Sequence, residues 1–178
     1  MSSQAVDSGR AGIFDFISDQ RFRLSLLSDY SEILASLETG SWKAVHVLAG
    51  GIVEAVLVDY LVASDYQKRT GRDPLEFDLF KAIEACKAEG VLSQRAFELS
   101  SVVRGYRNLI HPGRAIRLNE KVDKNTAVIA KALVDVIIDE IAVGKKAKYG
   151  YTAEQLMSKV ESDSSSLSII GHLHCRPN

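Results

Sequence analysis

The chain has little proline, little cysteine and no excess of one charge. Three prolines among 178 residues are compatible with long helices, because proline breaks helix interiors. The two cysteines, Cys86 and Cys175, lie far apart, and residues 1–12 lack the apolar run of a secretory signal, so we expect a cytoplasmic protein. Since 22 Lys and Arg face 23 Asp and Glu, contact with a polyanion requires a local basic patch.

Long uncharged apolar runs are also missing. The two most apolar stretches are residues 44–63, which Glu54 and Asp59 interrupt, and residues 127–143, which contain four charged residues. A membrane-spanning helix needs roughly 18 residues with few or no charges. We therefore expect no integral membrane segment.

Several common catalytic motifs are absent, namely those of nucleotide-binding loops, zinc proteases and serine hydrolases. His172, His174 and Cys175 are metal-binding residue types, but their spacing is too tight for a closed metal site. We expect neither a metal nor a cofactor.

Apolar residues recur at spacings of three and four between the prolines, which predicts an all-α fold. We expect an up-and-down bundle of four to five main helices and a short C-terminal helix. A flexible N-terminal arm (1–18) precedes the domain (19–161), and a linker and tail (162–178), which can lead into a further segment, follows it. The main helices are expected at 19–38, 41–66, 75–89, 93–111 and 125–143, and the short one at 152–161.

The predicted second helix is apolar on nearly every side, which is typical of a central buried helix. Gly50 and Gly51 in its middle indicate that another helix crosses closely there. Glu54 lies in the same apolar segment, where an unpaired buried charge is costly. It therefore needs a cationic partner, for which Arg104 and Arg107 are the nearest chemical matches; the alternative is a solvated Glu54.

Polar side chains converge at the end of the predicted fourth helix. At roughly 100° per residue, Arg104, Arg107, Asn108 and His111 share one stripe. An imidazole that titrates near neutral pH beside guanidinium groups suits acid–base chemistry at a phosphodiester. Alternatively, His111 caps its own helix and the arginines pair with carboxylates of neighbouring helices.

A local basic excess surrounds this helix end. Between residues 104 and 124, six Lys or Arg outnumber two acidic residues, which suits a polyanion. Arg114 and Arg117 within this stretch are candidate substrate-binding residues. Tyr106 either packs in a dimer of the chain or stacks on a base. Core packing is favoured for Cys86 and His46, which lie on apolar faces.

The segment YRNLIHPG from Tyr106 to Gly113, with VLAGGIVEAVL at 47–57, resembles the HEPN superfamily of small helical domains. The resemblance covers residues 19 to about 143 and implies a four-to-five-helix bundle, usually a homodimer that brings two motifs together. Active members are metal-independent endoribonucleases in which the RNA 2′-hydroxyl attacks the adjacent phosphate. Many serve toxin–antitoxin, phage-defence or RNA-processing systems.

The family motif is an arginine, a following polar residue and a histidine, with four to six residues between arginine and histidine. Asn108 follows Arg107, which favours that arginine, but only Arg104 has the expected spacing from His111. We therefore expect His111 to move protons and both arginines to act on the phosphate. Asn108 would orient the phosphate or the histidine, and Glu54, from its apolar surroundings, is expected to hold an arginine. The implied partners are RNA, a second copy and an antitoxin or regulatory protein. A non-catalytic dimerisation or regulatory module that binds a protein or a nucleotide is the alternative.

Overall fold

The computed structural model describes residues 12–108, 111, 113, 116–117 and 121–149, and this part of the chain contains helices but no strand. The all-α prediction is thus confirmed. The predicted short helix at 152–161 and the tail at 162–178 lie outside the described residues. The α-helices are α1 (Gln20–Thr39), α2 (Trp42–Ala63), α3 (Tyr66–Thr70), α4 (Leu79–Ala88), α5 (Gln94–Asn108) and α6 (Lys124–Tyr149), with a 3₁₀ turn at Pro74–Glu76.

The centre of the bundle is α2, as its apolar sequence predicts. It contacts each of the other five helices. Ile52, Leu57 and Leu61 are completely buried along its length. Because α2 carries the largest share of the core, side chains from α5 and α6 that face it are held on a rigid support.

Among the described residues, α2 is also the one helix long and apolar enough to cross a membrane. By length and composition alone, Glu54 and Asp59 do not exclude a membrane-spanning segment here. However, 67% of the most apolar stretch of this helix is buried inside the bundle. Burial by the surrounding helices accounts for this composition, because a central core helix is apolar on all sides.

The helix α1 begins and ends close to where the sequence predicts. The Asp19 carboxylate accepts the N–H of Arg21 at 2.8 Å and caps the first turn. Gly40 follows the last turn with a left-handed φ of 77°, which glycine adopts at little cost. The chain then turns through Gly40 and Ser41, so that α1 and α2 pack side by side.

The region between α2 and α4 differs from its prediction. The loop expected at 67–74 contains most of α3, and the third main helix begins at Leu79 rather than at residue 75. The physical reason is the side chain of Asp78, which accepts the N–H of Lys81 at 2.9 Å and starts the helix there.

Two predicted helix ends are also corrected. α5 extends to Asn108, and His111 lies in a turn beyond the helix. The backbone N–H of His111 donates to the Asn108 carbonyl oxygen at 3.3 Å. α6 continues through Gly144, which was expected to end it, as far as Tyr149. A glycine inside a helix costs only about 1 kcal/mol relative to alanine, so tertiary contacts of the last turns can outweigh it.

Residues 12–18 are part of the core, so the expectation of a flexible arm is wrong for this stretch. Phe14 and Ile17 are buried, and Phe14 packs its ring edge-on against Tyr30 of α1 with centroids 6.0 Å apart. Residues 1–11 of the expected arm lie outside the described residues. Burial of these two large side chains ties residues 12–18 to the bundle.

A buried ion pair joins three distant segments. Lys145 Nζ, from α6, lies 2.6 Å from the Oδ2 atom of Asp59 in α2, and the two side chains are 7% and 3% exposed. The Asp59 carboxylate also accepts the backbone N–H groups of Ser18 and Asp19 at 3.1 Å. Lys145 donates to Ser18 Oγ at 2.8 Å. Lys145 therefore contributes a buried cation to the core.

Candidate functional site

The last turn of α5 lies directly against the middle of α2. A Cβ atom built on Gly50 would lie 2.5 Å from Arg107 Cδ and 2.9 Å from Arg107 Cγ. The Arg107 side chain therefore occupies the space that the side chain of any other residue at position 50 would need. A Cβ on Gly51 would meet nothing within 4 Å. The close crossing predicted from the glycine pair is present at Gly50 and is made by Arg107.

Glu54, one helical turn beyond Gly50, is the charged partner of the same arginine. Arg107 Nη1 lies 3.8 Å from Glu54 Oε2, and the two side chains are 38% and 29% exposed. This distance suits an ion pair but is too long for a hydrogen bond. Glu54 Oε2 is a buried atom without a hydrogen-bond partner in the described part of the chain. The cationic partner predicted for Glu54 is present, and it is Arg107 rather than Arg104.

Arg104 contacts a different helix. Its guanidinium carbon lies 4.5 Å from the centre of the Phe80 ring on α4, which is a favourable cation–π geometry. Phe80 is itself 49% exposed, so this contact lies on the protein surface. The two arginines, which spacing places on one stripe, are therefore held by different neighbours.

The remaining predicted site residues flank Arg107. Asn108 ends α5 and is half-buried, and His111 is exposed in the turn that follows. Arg117 is exposed as well. Arg114 lies outside the described residues. The arrangement therefore presents a restrained guanidinium, an amide and a solvent-accessible imidazole at one end of α5.

Tyr106 is partly buried and packs against α2. Its ring lies beside the imidazole of His46 on α2, with centroids 5.2 Å apart. His46 is completely buried, as predicted, and its Nε2 atom lies 3.2 Å from Thr126 Oγ1 at the start of α6. This contact between α2, α5 and α6 was not predicted, because no sequence pattern links positions 46, 106 and 126.

Cys86 is a core residue, as its apolar position predicts. It is completely buried on α4, and its Sγ–H donates to the Leu57 carbonyl at 3.7 Å. Burial raises the pKa of the Cys86 thiol, and the nearby Glu89 carboxylate raises it further. A thiol held protonated in this way is a poor nucleophile.

Within the described residues, no group of three or more His, Cys, Asp or Glu side chains lies together as metal ligands would. The His172, His174 and Cys175 set lies outside the described residues. Comparison of the chain with family models, with curated proteins and with solved structures finds no match in any of the three. The interpretation of the site therefore depends on its own residues.

Alanine at Gly50 and at Gly51 should have different effects on stability. Gly51→Ala is expected to raise the free energy of unfolding by about 0.5–1 kcal/mol, because alanine favours the helix and has room. Gly50→Ala gains the same helix preference but forces the Arg107 side chain aside, which costs about 1–3 kcal/mol. Urea denaturation of both variants measures the difference. Equal stabilisation by the two substitutions would show that Arg107 is not held against Gly50.

Proposed function

We propose that the chain is a metal-independent endoribonuclease of HEPN type that acts in the cytoplasm as a homodimer. The observation that carries this proposal is the fixed position of Arg107, which lies on Gly50 and pairs with Glu54 while Asn108 and the exposed His111 follow it. A guanidinium and an accessible imidazole at one helix end provide charge stabilisation and proton transfer.

In the proposed reaction the 2′-oxygen of one nucleotide attacks the adjacent phosphorus. The bond between the 2′-oxygen and phosphorus forms as the bond from phosphorus to the 5′-oxygen of the next nucleotide breaks. His111 of one copy takes up the 2′-hydroxyl proton, and His111 of the second copy delivers a proton to the leaving 5′-oxygen. Arg107 stabilises the additional negative charge on the phosphate. The products are a 2′,3′-cyclic phosphate and a 5′-hydroxyl.

Arg107 is the motif arginine in this proposal. Its pairing with Glu54 and its contact with Gly50 restrict the guanidinium, and a restrained donor loses less entropy when it binds phosphate. Asn108 orients the same phosphate. Arg104, which lies over Phe80 on the adjacent surface, contacts a neighbouring phosphate of the RNA instead.

The other proposed binding residues extend this surface. Arg114 and Arg117 supply positive charge to the RNA backbone, which carries one negative charge per nucleotide. Tyr106 supports the site from inside, because its ring is engaged with His46. A second copy of the chain brings a second His111 to the same phosphate. An antitoxin or regulatory protein, in a toxin–antitoxin or phage-defence setting, would control the activity.

A cleavage assay in a chelator tests this proposal. The purified protein is incubated with tRNA, structured RNA and single-stranded RNA in excess EDTA, and the product ends are analysed. We expect cleavage to continue, with cyclic phosphate at the new 3′ ends. RNA with a 2′-deoxy nucleotide at the cleaved position should remain intact, because it lacks the attacking oxygen. Intact RNA of all three kinds would contradict the proposal.

A non-catalytic module that binds a partner protein or nucleotide is the second candidate, and exposed apolar side chains favour a protein partner. Val102 on α5 is 43% exposed, and Val128, Ile129 and Val143 on α6 are 49%, 45% and 70% exposed. Contiguous exposed apolar patches mark interaction sites, and this candidate requires these side chains to form one. A folded protein that neither cleaves nor binds RNA would favour this second candidate.

A further inference from the structure

A buried histidine lies behind the candidate site. On α2, His46, Gly50 and Glu54 follow one another at intervals of four residues, so they share one face of the helix. Gly50 and Glu54 contact Arg107, and His46 contacts Tyr106, the residue before it. This face of α2 therefore supports the last turn of α5 along three successive helical turns.

The hydrogen bonds around His46 favour one tautomer. At the start of α6, Thr126 Oγ1 accepts the N–H of Asp123 at 3.1 Å and has two acceptors in Asp123, the carbonyl oxygen at 3.0 Å and Oδ1 at 3.2 Å. With its hydroxyl proton directed to Asp123, the oxygen accepts from His46 Nε2 at 3.2 Å. This arrangement favours neutral His46 with its proton on Nε2 and a lone pair on Nδ1.

The Nδ1 atom of His46 is buried and has no hydrogen-bond partner in the described chain. An unpaired lone pair is tolerable, but protonation would place a charged N–H group there without an acceptor. Burial lowers the pKa of His46, and the Asp123 carboxylate partly opposes this shift. The charged form is therefore unfavourable in the folded structure.

Few charged groups face His46 from the helices packed around it. Asp123, which precedes α6, is the described carboxylate whose charge reaches the imidazole. From α5, Tyr106 presents its ring, and Arg107 is directed along α2 toward Gly50. On α2 itself, Lys43 is exposed one turn before His46. Asp123 is already engaged as the cap of α6, where its carboxylate accepts the N–H of Thr126 at 2.9 Å.

We propose that His46 is a pH-sensitive positioning residue, which in its neutral form holds the last turn of α5 and the first turn of α6 together on α2. Protonation adds a buried, charged N–H at Nδ1 that has no acceptor in the described chain, although Nε2 can still donate to Thr126. Opening of the last turn of α5 exposes that group to water, so protonation favours release of the turn that carries Arg107. As far as activity is concerned this inference rests on the proposed function, since His46 would act on RNA cleavage only through Arg107.

Hydrogen exchange tests the proposal without any activity assay. Backbone amide exchange of the full chain is measured at pH 7.5 and 5.5 and corrected for the intrinsic pH dependence of exchange. In the wild-type protein, we expect residues 103–108 and 127–130 to lose protection at pH 5.5 relative to α4 of the same molecule. Because pH 5.5 lies about one unit below the ordinary pKa of histidine, the loss approaches but does not exceed about tenfold. In His46→Gln, whose amide can still donate to Thr126 Oγ1 but does not titrate, protection should be equal at both pH values.

The matched control is His111→Gln, which removes an exposed imidazole and should show the same loss of amide protection at pH 5.5 as the wild-type protein. Equal protection of the wild-type protein at the two pH values, or the same loss in His46→Gln, would overturn the proposal. If His46→Gln does not fold, NMR titration of the wild-type protein replaces it. The Tyr106 ring resonances should then move together with the His46 titration, and unchanged Tyr106 resonances would overturn the proposal. Neither result depends on whether the protein cleaves RNA.

Discussion

Lys145→Met is expected to lower the free energy of unfolding by about 3–5 kcal/mol, because it removes one partner of a buried ion pair. Asp59 would keep a charge that is 3% exposed and that has lost its donor at 2.6 Å. Its remaining hydrogen bonds to the Ser18 and Asp19 backbone satisfy the carboxylate oxygens only in part. Urea denaturation followed by circular dichroism measures the change.

The control for this substitution is Lys68→Met. Lys68 pairs with Asp65 at 2.7 Å, but both side chains are mostly exposed, so its loss should cost less than about 1 kcal/mol. The double variant Asp59→Asn with Lys145→Met should recover part of the lost stability, because no unpaired charge remains. If Lys145→Met has the same small effect as Lys68→Met, the pair contributes little to the fold.

The features that the sequence predicts well depend on local pattern. The apolar periodicity of α2 predicts a buried helix, and the structure places it at the centre. The chemistry of a carboxylate in that segment predicts a cationic partner, and Arg107 lies 3.8 Å from Glu54. Both inferences follow from the cost of leaving a group in the wrong environment, which is a property of the residue itself.

The Asp59 and Lys145 pair shows what local pattern misses. The two residues are 86 positions apart, and a lysine near the end of a helix is usually solvated and favourable to the helix dipole. The same limitation applies to residues 12–18, whose burial depends on the surface that α1, α2 and α6 form together. Only the packing of distant segments determines these positions.

The two candidate arginines illustrate the same distinction within one helix. Residues 104 and 107 are separated by three positions, so spacing alone places them on one stripe of α5. Which helix each side chain meets is decided by the bundle: Arg104 meets Phe80 of α4, and Arg107 meets Gly50 of α2. The glycine pair and Glu54 were the sequence signals in α2 that marked this crossing.

His111→Ala is expected to reduce RNA cleavage by about 10²–10⁴-fold, because the proposed proton transfer depends on this imidazole. Its effect on stability should be within about 0.5 kcal/mol, since His111 is exposed and lies in a turn beyond α5. Initial rates at pH 7 in EDTA, with urea denaturation of the same preparation, measure both quantities. A contaminating nuclease would cleave RNA equally in the wild-type and variant preparations, so only a difference between them supports a role for His111.

Arg107→Lys and Arg104→Lys form the matched pair that locates the phosphate-binding arginine. Lysine retains the charge but not the planar donor geometry, so replacement of the arginine that binds the reacting phosphate should lower the rate constant kcat. We expect that loss for Arg107→Lys, and a weaker effect confined to KM for Arg104→Lys, whose guanidinium lies over Phe80. The opposite result would assign the motif to Arg104 and His111, which have the six intervening residues of the family pattern, and would leave Arg107 as a structural partner of Glu54.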